Sequence, residues 1–226
     1  ESEQVKGETF RPTERVKVYV IEVKDTPKGP RVSVSRTHPD LVKRLFESEV
    51  AEVRDGTVEI KAIAREAGSR TKIAVKSNDA NVDPVGACVG LNGSRVNSIV
   101  SELKGEKIDI INWDDNPAYL IENALSPAKV ICVVADEEER EAQVIVPDYQ
   151  LSLAIGKEGQ NARLAARLTG FKIDIKSETQ AREMGLFEQM GLQYGDTSSE
   201  NYEEEQEEPE SYQEYEENYQ EDGSEQ

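Results

Sequence analysis

The residues of this chain that could do chemistry lie in two copies of one short pattern. Val89-Gly90-Leu91-Asn92-Gly93-Ser94-Arg95-Val96 and Ile155-Gly156-Lys157-Glu158-Gly159-Gln160-Asn161-Ala162 each read as an apolar residue, a Gly-x-x-Gly turn and the start of a helix. Glycines flanking a two-residue turn let backbone N–H groups at a helix N-terminus approach a phosphate with no side chain in the way. In the second copy Lys157 adds a cation, and Arg163 and Arg167, four apart on one helix face, extend the cationic edge. No catalytic set accompanies these loops. His38 is the only histidine, and Cys88 and Cys132 lie 44 positions apart with no C-x-x-C, so a Cys–His or Ser–His pair has no support. The same spacings offer no zinc ligand set, and the chain is expected to carry no catalytic residue, metal or cofactor.

The elements that must position the loops recur around each copy. The loop-bearing helices end at Gly105 and Gly170, followed by Lys107-Ile108-Asp109-Ile110 and Lys172-Ile173-Asp174-Ile175, which makes the pattern an internal repeat. Upstream, Thr37-His38-Pro39 and Asp115-Asn116-Pro117 open helices with apolar stripes at Leu41, Val42, Leu45 and Phe46, and at Leu120, Ile121, Ala124 and Leu125. A strand pair comes after each. In the first, Val58, Ile60, Ala62 and Ala64 alternate, Gly68-Ser69 turns and Ile73-Ala74-Val75 returns; in the second, Val130 to Val134 runs apolar, Asp136 to Arg140 turns and Val144-Ile145-Val146 returns. Asp83-Pro84 and Pro147-Asp148 start the short helix before each loop, and Val96, Ile99, Val100 and Leu103, like Leu164, Ala165 and Leu168, face a core. Each repeat is therefore αββααβ, and the fold class is α+β. Residues 15 to 36 alternate as a hairpin turning at Pro27-Lys28-Gly29-Pro30. Two strands do not stand alone in water, so the hairpin is expected to be the last part of a β-barrel whose beginning is absent from this chain.

A net charge of −19 over 226 residues argues at face value against a nucleic-acid partner. The average misleads. From Asp196 to Gln226 there are 14 acidic residues and no Lys or Arg, leaving 32 acidic and 27 basic residues elsewhere, a net charge of −5. That last stretch, with four tyrosines among its glutamates and glutamines, is expected to be disordered, either as a solubilising extension or as a competitor for a cationic surface. There is no apolar run long enough to span a bilayer and no signal peptide, so a cytoplasmic location without membrane contact is expected.

The match becomes specific at Val85-Gly86-Ala87-Cys88-Val89-Gly90 with Gly93-Ser94-Arg95-Val96, at Leu103-Lys104-Gly105-Glu106-Lys107-Ile108-Asp109-Ile110, and at Leu153-Ala154-Ile155-Gly156-Lys157-Glu158-Gly159-Gln160-Asn161-Ala162-Arg163-Leu164-Ala165. With the αββααβ order, these resemble the bacterial-type (type II) KH domains of the NusA family of transcription termination and antitermination factors, over about residues 10 to 182. That family places a polymerase-binding domain before an OB-fold barrel of the ribosomal-protein-S-one type, then two KH domains packed in tandem. The resemblance implies residues 1–36 as the C-terminal part of the barrel, 37–112 as the first KH domain, 113–182 as the second and 183–226 as an acidic disordered tail. KH loops clamp single-stranded RNA. The contacts so implied are Gly90, Leu91, Asn92, Gly93, Ser94 and Arg95 in the first copy, and Ile155, Gly156, Lys157, Glu158, Gly159, Gln160, Asn161, Arg163 and Arg167 in the second. Backbone amides of Gly156 to Gln160 would hold phosphates, with bases across the apolar groove edged by Ile155 and Ile173-Asp174-Ile175. Relatives usually carry Lys or Arg inside the first loop; here Leu91-Asn92 leaves Arg95 as its nearest cation.

The function so implied is that of a non-enzymatic, monomeric RNA-binding transcription elongation factor modulating pausing, termination and antitermination. Its partners would be single-stranded nascent RNA, RNA polymerase (mainly through the missing N-terminal domain) and other antitermination factors. Two alternatives stay open: the RNA-binding module of an RNA-processing nuclease, which lacks support from any carboxylate cluster or Walker A loop, and a ribosome-associated KH protein, which an acidic tail does not suit. For Arg163 and Arg167 the competing reading is a solvated face balanced by acids, which also covers Arg65, Arg70, Lys72 and Lys76. Trp113 is expected to pack between domains, Cys88 and Cys132 to lie in cores, and His38 to be a capping or surface residue.

Overall fold

The computed structural model describes residues 3–189. Its first regular element is the expected hairpin: β1 (Tyr19–Thr26) pairs antiparallel with β2 (Gly29–Ser35), closing at Thr26 opposite Gly29. Val20, Val23, Val32 and Val34 on it are exposed. Arg36 fixes the hairpin to the first repeat. Its buried guanidinium makes five hydrogen bonds: Nε and Nη2 to the Glu8 carboxylate, Nη1 to Lys17 O and Glu102 Oε1, and Nη2 to Glu102 O. All its donors are satisfied, the condition under which a buried charge is tolerated.

The first repeat runs α1 (Pro39–Glu49), α2 (Ala51–Arg54), β3 (Val58–Glu66), β4 (Arg70–Ser77), α3 (Pro84–Val89), α4 (Ser94–Glu102) and β5 (Lys107–Asn112). His38 caps α1, its Nδ1 accepting from Asp40 N at 3.1 Å, and its ring stacks on Tyr19. Asp83 caps α3 in the same way, each cap satisfying a helix N–H that has no partner inside the helix. The sheet order is β3-β4-β5, with β4 and β5 parallel. Leu41, Val42, Leu45 and Phe46 of α1 pack with Ile73, Val75, Cys88, Ile99 and Leu103 on one face of this sheet. Burial pushes the Cys88 thiol up to about 12, so it is a core residue without nucleophilic character.

Two local features depart from the expected pattern. The register of β3 against β4 shifts between Ile60 and Ala62, and this bulge flips the phase of the strand. Val58 and Ile60 therefore face the first-repeat core, whereas Ala62 and Ala64 face the opposite way. Helix α4 also stops before Gly105. Lys104 takes the left-handed position (φ 56°), its N–H bonding Ser101 O while Gly105 N bonds Val100 O, the paired bonds of a Schellman motif.

The second repeat comprises α5 (Pro117–Ala124), β6 (Cys132–Asp136), β7 (Glu141–Val146), α6 (Leu151–Ile155), α7 (Gln160–Thr169) and β8 (Lys172–Ser177), with order β6-β7-β8. Its core includes Leu120, Ile121, Val144, Val146, Leu164 and Ala165, and it continues without a break into Ala64, Ala74 and Ile111 of the first repeat, with Ala62 and Trp113 against it. The first sheet is thus covered on both faces, and the small alanines on its far face leave room for the second repeat's helices. After β8, Ser177 and Gln180 form a capping box for α8 (Glu178–Glu183), succeeded by α9 (Leu186–Gln189). Leu186 and Phe187, which fall within the 183–226 segment expected as an unfolded tail, are buried against Ile145 and Ala181; the rest of that segment lies outside the described residues.

The strand cations expected on a solvated face are mostly interior. Arg65 and Glu106 form a fork-to-fork pair at 2.8 Å, each side chain 1% exposed. The Lys72 ammonium is fully buried and bridges the repeats, donating to Asp109 Oδ2 at 2.9 Å and to Ser126 O at 2.8 Å. Burial draws its pKa below the ordinary lysine value, and Asp109 opposes that shift. Lys76, paired with Asp115, remains partly exposed.

Candidate nucleic-acid interface

The two Gly-x-x-Gly turns have one backbone. Gly90 sits at φ 76°, ψ 173° and Gly156 at φ 76°, ψ 171°, a region essentially reserved for glycine. Asn92 (φ 50°) and Glu158 (φ 54°) are both left-handed, and Gly93 and Gly159 both lie at φ 73°. Each turn feeds directly into a helix of nine or ten residues, α4 and α7. Within the second turn, Gly156 N bonds Ser152 O, Gly159 N bonds Gly156 O and Gln160 N bonds Lys157 O. The expected five-amide cradle of Gly156 to Gln160 is therefore reduced to the tip. There, the N–H groups of Lys157 and Glu158 have no acceptor among the described residues. Lys157 is exposed and makes no ion pair among the described residues. This arrangement presents two amides and an ammonium at the positive end of a helix, the elements of an anion site.

Two residues expected as RNA contacts work underneath the turns. Arg95 Nη1 donates to Ala87 O at 2.6 Å and pairs with Glu52 at 2.9 Å, with its side chain folded under Gly90, where a Cβ would come within 2.7 Å of Arg95 Cγ. Asn161, at the matching position, is buried below Gly156; its Nδ2 donates to Leu125 O, Leu153 O and Ala154 O at 3.0, 3.4 and 3.1 Å. Ala87 and Leu153 are eight residues upstream of Arg95 and Asn161 respectively, so the same tie holds each turn to its preceding short helix. Arg95 is thus engaged by Ala87 O and Glu52 and about a third exposed, and the tip of the first loop is Leu91, 84% exposed. Ser94 starts α4 beside it.

On α7, Arg163 and Arg167 share a face, as their spacing predicts, and both meet Glu66 of β3. Arg163 Nε and Nη2 approach the Glu66 carboxylate at 2.5 and 3.1 Å, Gln160 Nε2 at 2.9 Å and Arg167 Nη1 at 3.5 Å. Arg163 Nη1 also donates to Glu158 O at 3.0 Å, and Gln160 Nε2 to Ser69 Oγ at 2.7 Å. The Arg163 guanidinium holds the Glu66 carboxyl well below the usual range, at about 2. The balancing acid anticipated for these arginines is thus a single residue of the other repeat. Glu66 carries no local sequence signal, because it lies 97 positions from Arg163. Beside the turn, Tyr149 on the approach to α6 and Leu153 and Ile155 within it are exposed, and Ile173 and Ile175 of β8 are half-buried. Ile173 and Ile175, expected at one edge of a groove, pack against the second-repeat core.

Models of two domain families match this chain: the NusA-like first KH domain over residues 36–113 and the NusA-like second KH domain over residues 117–183. The transcription termination/antitermination protein NusA of Bacillus subtilis is 63% identical over 186 residues, covering 82% of this chain and 50% of that protein. The proteins of the same name from Mycobacterium tuberculosis (58% over 178 residues, 78% of this chain and 51% of the relative) and Thermus thermophilus (49% over 175 residues, 77% and 45%) are also similar. The chain spans about half the length of the curated relatives it matches.

Proposed function

Because this chain belongs to the NusA family, with its two KH domains in tandem, we propose that it binds single-stranded nascent RNA as part of a cytoplasmic, non-enzymatic transcription elongation factor. The observation that carries the reading is the second turn: two amides unengaged among the described residues, an exposed Lys157 and the N-terminus of α7 converge beside the exposed Leu153 and Ile155. Phosphate is held at the turn while bases lie against Ile155 and β8, where their unpaired edges are open to hydrogen bonding. Residues 1–36 act as the end of an OB-fold barrel, which the exposed valines of β1 and β2 suit. RNA polymerase is engaged mainly through a domain outside this chain, other antitermination factors join the same complex, and binding of RNA biases pausing, termination and antitermination. The protein acts as a monomer.

The test is a titration of the parent and a Lys157→Asp/Glu158→Asp double variant with a labelled single-stranded RNA. Two carboxylates at the exposed tip set like charge against phosphate, so affinity should fall by about a hundredfold with no matching loss of thermal stability. Equal affinities would show that the second turn is not the clamp.

A further inference from the structure

Resting on the RNA-binding reading above, we propose that Glu66 of the first KH domain is an intramolecular competitor for RNA: it occupies, on the second domain's α7, the place a backbone phosphate takes. The juxtaposition is specific. One carboxylate collects Arg163, Gln160 and Arg167, all within the first two to three turns of the helix that the Gly-x-x-Gly turn feeds. A carboxylate and a phosphate offer a guanidinium the same pair of acceptor oxygens, so they exclude one another at a fork.

Glu66 is the fixed partner. Its strand ends in a turn held by Gly68 N bonding Glu106 Oε2 at 2.8 Å, with the buried Arg65–Glu106 pair behind it and Val5 seated on Gly68 so closely that no Cβ would fit. The arginines are the movable ones, with side chains 42% and 55% exposed. Three hydrogen bonds engage Arg163, all with Glu66 or Glu158 O, so an arriving phosphate must exchange with the carboxylate to use the same edge of the guanidinium. Polyanions without bases to fill the groove gain too little to drive that exchange. Glu66 thereby weakens capture by charge alone and leaves the contribution of the bases intact.

The experiment is a titration of parent, Glu66→Gln, Arg163→Gln/Arg167→Gln and the triple variant with an unstructured single-stranded RNA oligonucleotide at several salt concentrations. Gln keeps the size and one acceptor oxygen, so the interdomain contact stays filled; a thermal midpoint for Glu66→Gln only slightly below the parent's, as the loss of one partly exposed ion pair gives, checks it. The inference expects Glu66→Gln to bind about three- to tenfold more tightly at low salt, with the slope of log affinity against log salt steeper by about 0.7 for one phosphate newly held. It further expects that gain to vanish in the background lacking both arginines. Unchanged or weaker binding by Glu66→Gln makes Glu66 a strut and overturns the inference alone, as does a gain that persists without the arginines, which would be plain charge repulsion. Failure of parent and Glu66→Gln alike to bind RNA overturns the RNA-binding reading and the inference with it.

Discussion

The two Gly-x-x-Gly turns share a backbone to within about ten degrees and differ in nearly every side chain that could meet a phosphate. Where the second repeat has Lys157, Arg163 and Arg167, the first has Leu91, Asn97 and Ser101. The position that supports each turn from below differs too, Arg95 in one and Asn161 in the other, yet both make the same tie to the preceding helix. Shape and charge are therefore separate properties of this module. The glycines and the tie set the turn, and the outward positions set the charge beside it.

The largest effects expected from breaking this comparison fall on the tie. Asn161→Ala removes the donor shared by three carbonyls, two of them buried, and should cost about 2 kcal/mol of stability, the value tempered because Asn161 Oδ1 is itself buried without a partner among the described residues. Arg95→Ala should cost less, about 1 kcal/mol, since Arg95 and Glu52 are each about a third exposed and water re-solvates them. Denaturant unfolding measures both, and RNA affinity of the folded Arg95→Ala chain should be unaltered. A loss of RNA binding on Arg95→Ala would show that the first turn is a cationic clamp after all.

A smaller effect sharpens the charge side of the comparison. Leu91→Lys places an ammonium where Lys157 stands in the other turn, at a position already 84% exposed. RNA affinity should rise a few-fold and the salt slope steepen by about 0.7. Asn92→Lys should do less, because position 92 is left-handed and a long side chain there costs about 1 kcal/mol. If neither substitution alters the slope, no phosphate passes the first turn.

The smallest effect is a pH dependence. Glu66 has its pKa depressed from 4.5 to about 2 in the folded chain, so its contribution is complete above the unfolded value and is lost as pH falls from 4.5 towards 2. With its arginine partners partly exposed, that contribution is under about 1 kcal/mol. The difference in thermal midpoint between parent and Glu66→Gln should narrow over that window; a difference that is flat in pH would mean the ion pair adds nothing to the fold.

What could be read from the sequence was local. His38, Asp83 and Asn116 announce their helices because a cap and the backbone N–H that donates to it are two residues apart, and the loops announce themselves through glycine spacing. Pairings between distant segments leave no such trace. The bulge near Lys61 reverses the facing of Ala62 and Ala64, and nothing in their alternation marks it. Arg65 and Lys72 look like surface cations until the strands bring Glu106 and Asp109 to them, and Glu66 joins the site only because the two repeats share a core. The glycine after α4 signals the helix end one residue late, since Lys104 takes the left-handed position.

Helices α8 and α9 give the second sheet what the second repeat gives the first. A module that buries an apolar face on its neighbour leaves its own outer face to be covered by something else. Here Ala181, Leu186 and Phe187 cover Ile145. Without that cover Ile145 would lie open to water, so the short segment after β8 belongs to the folded body of the second repeat.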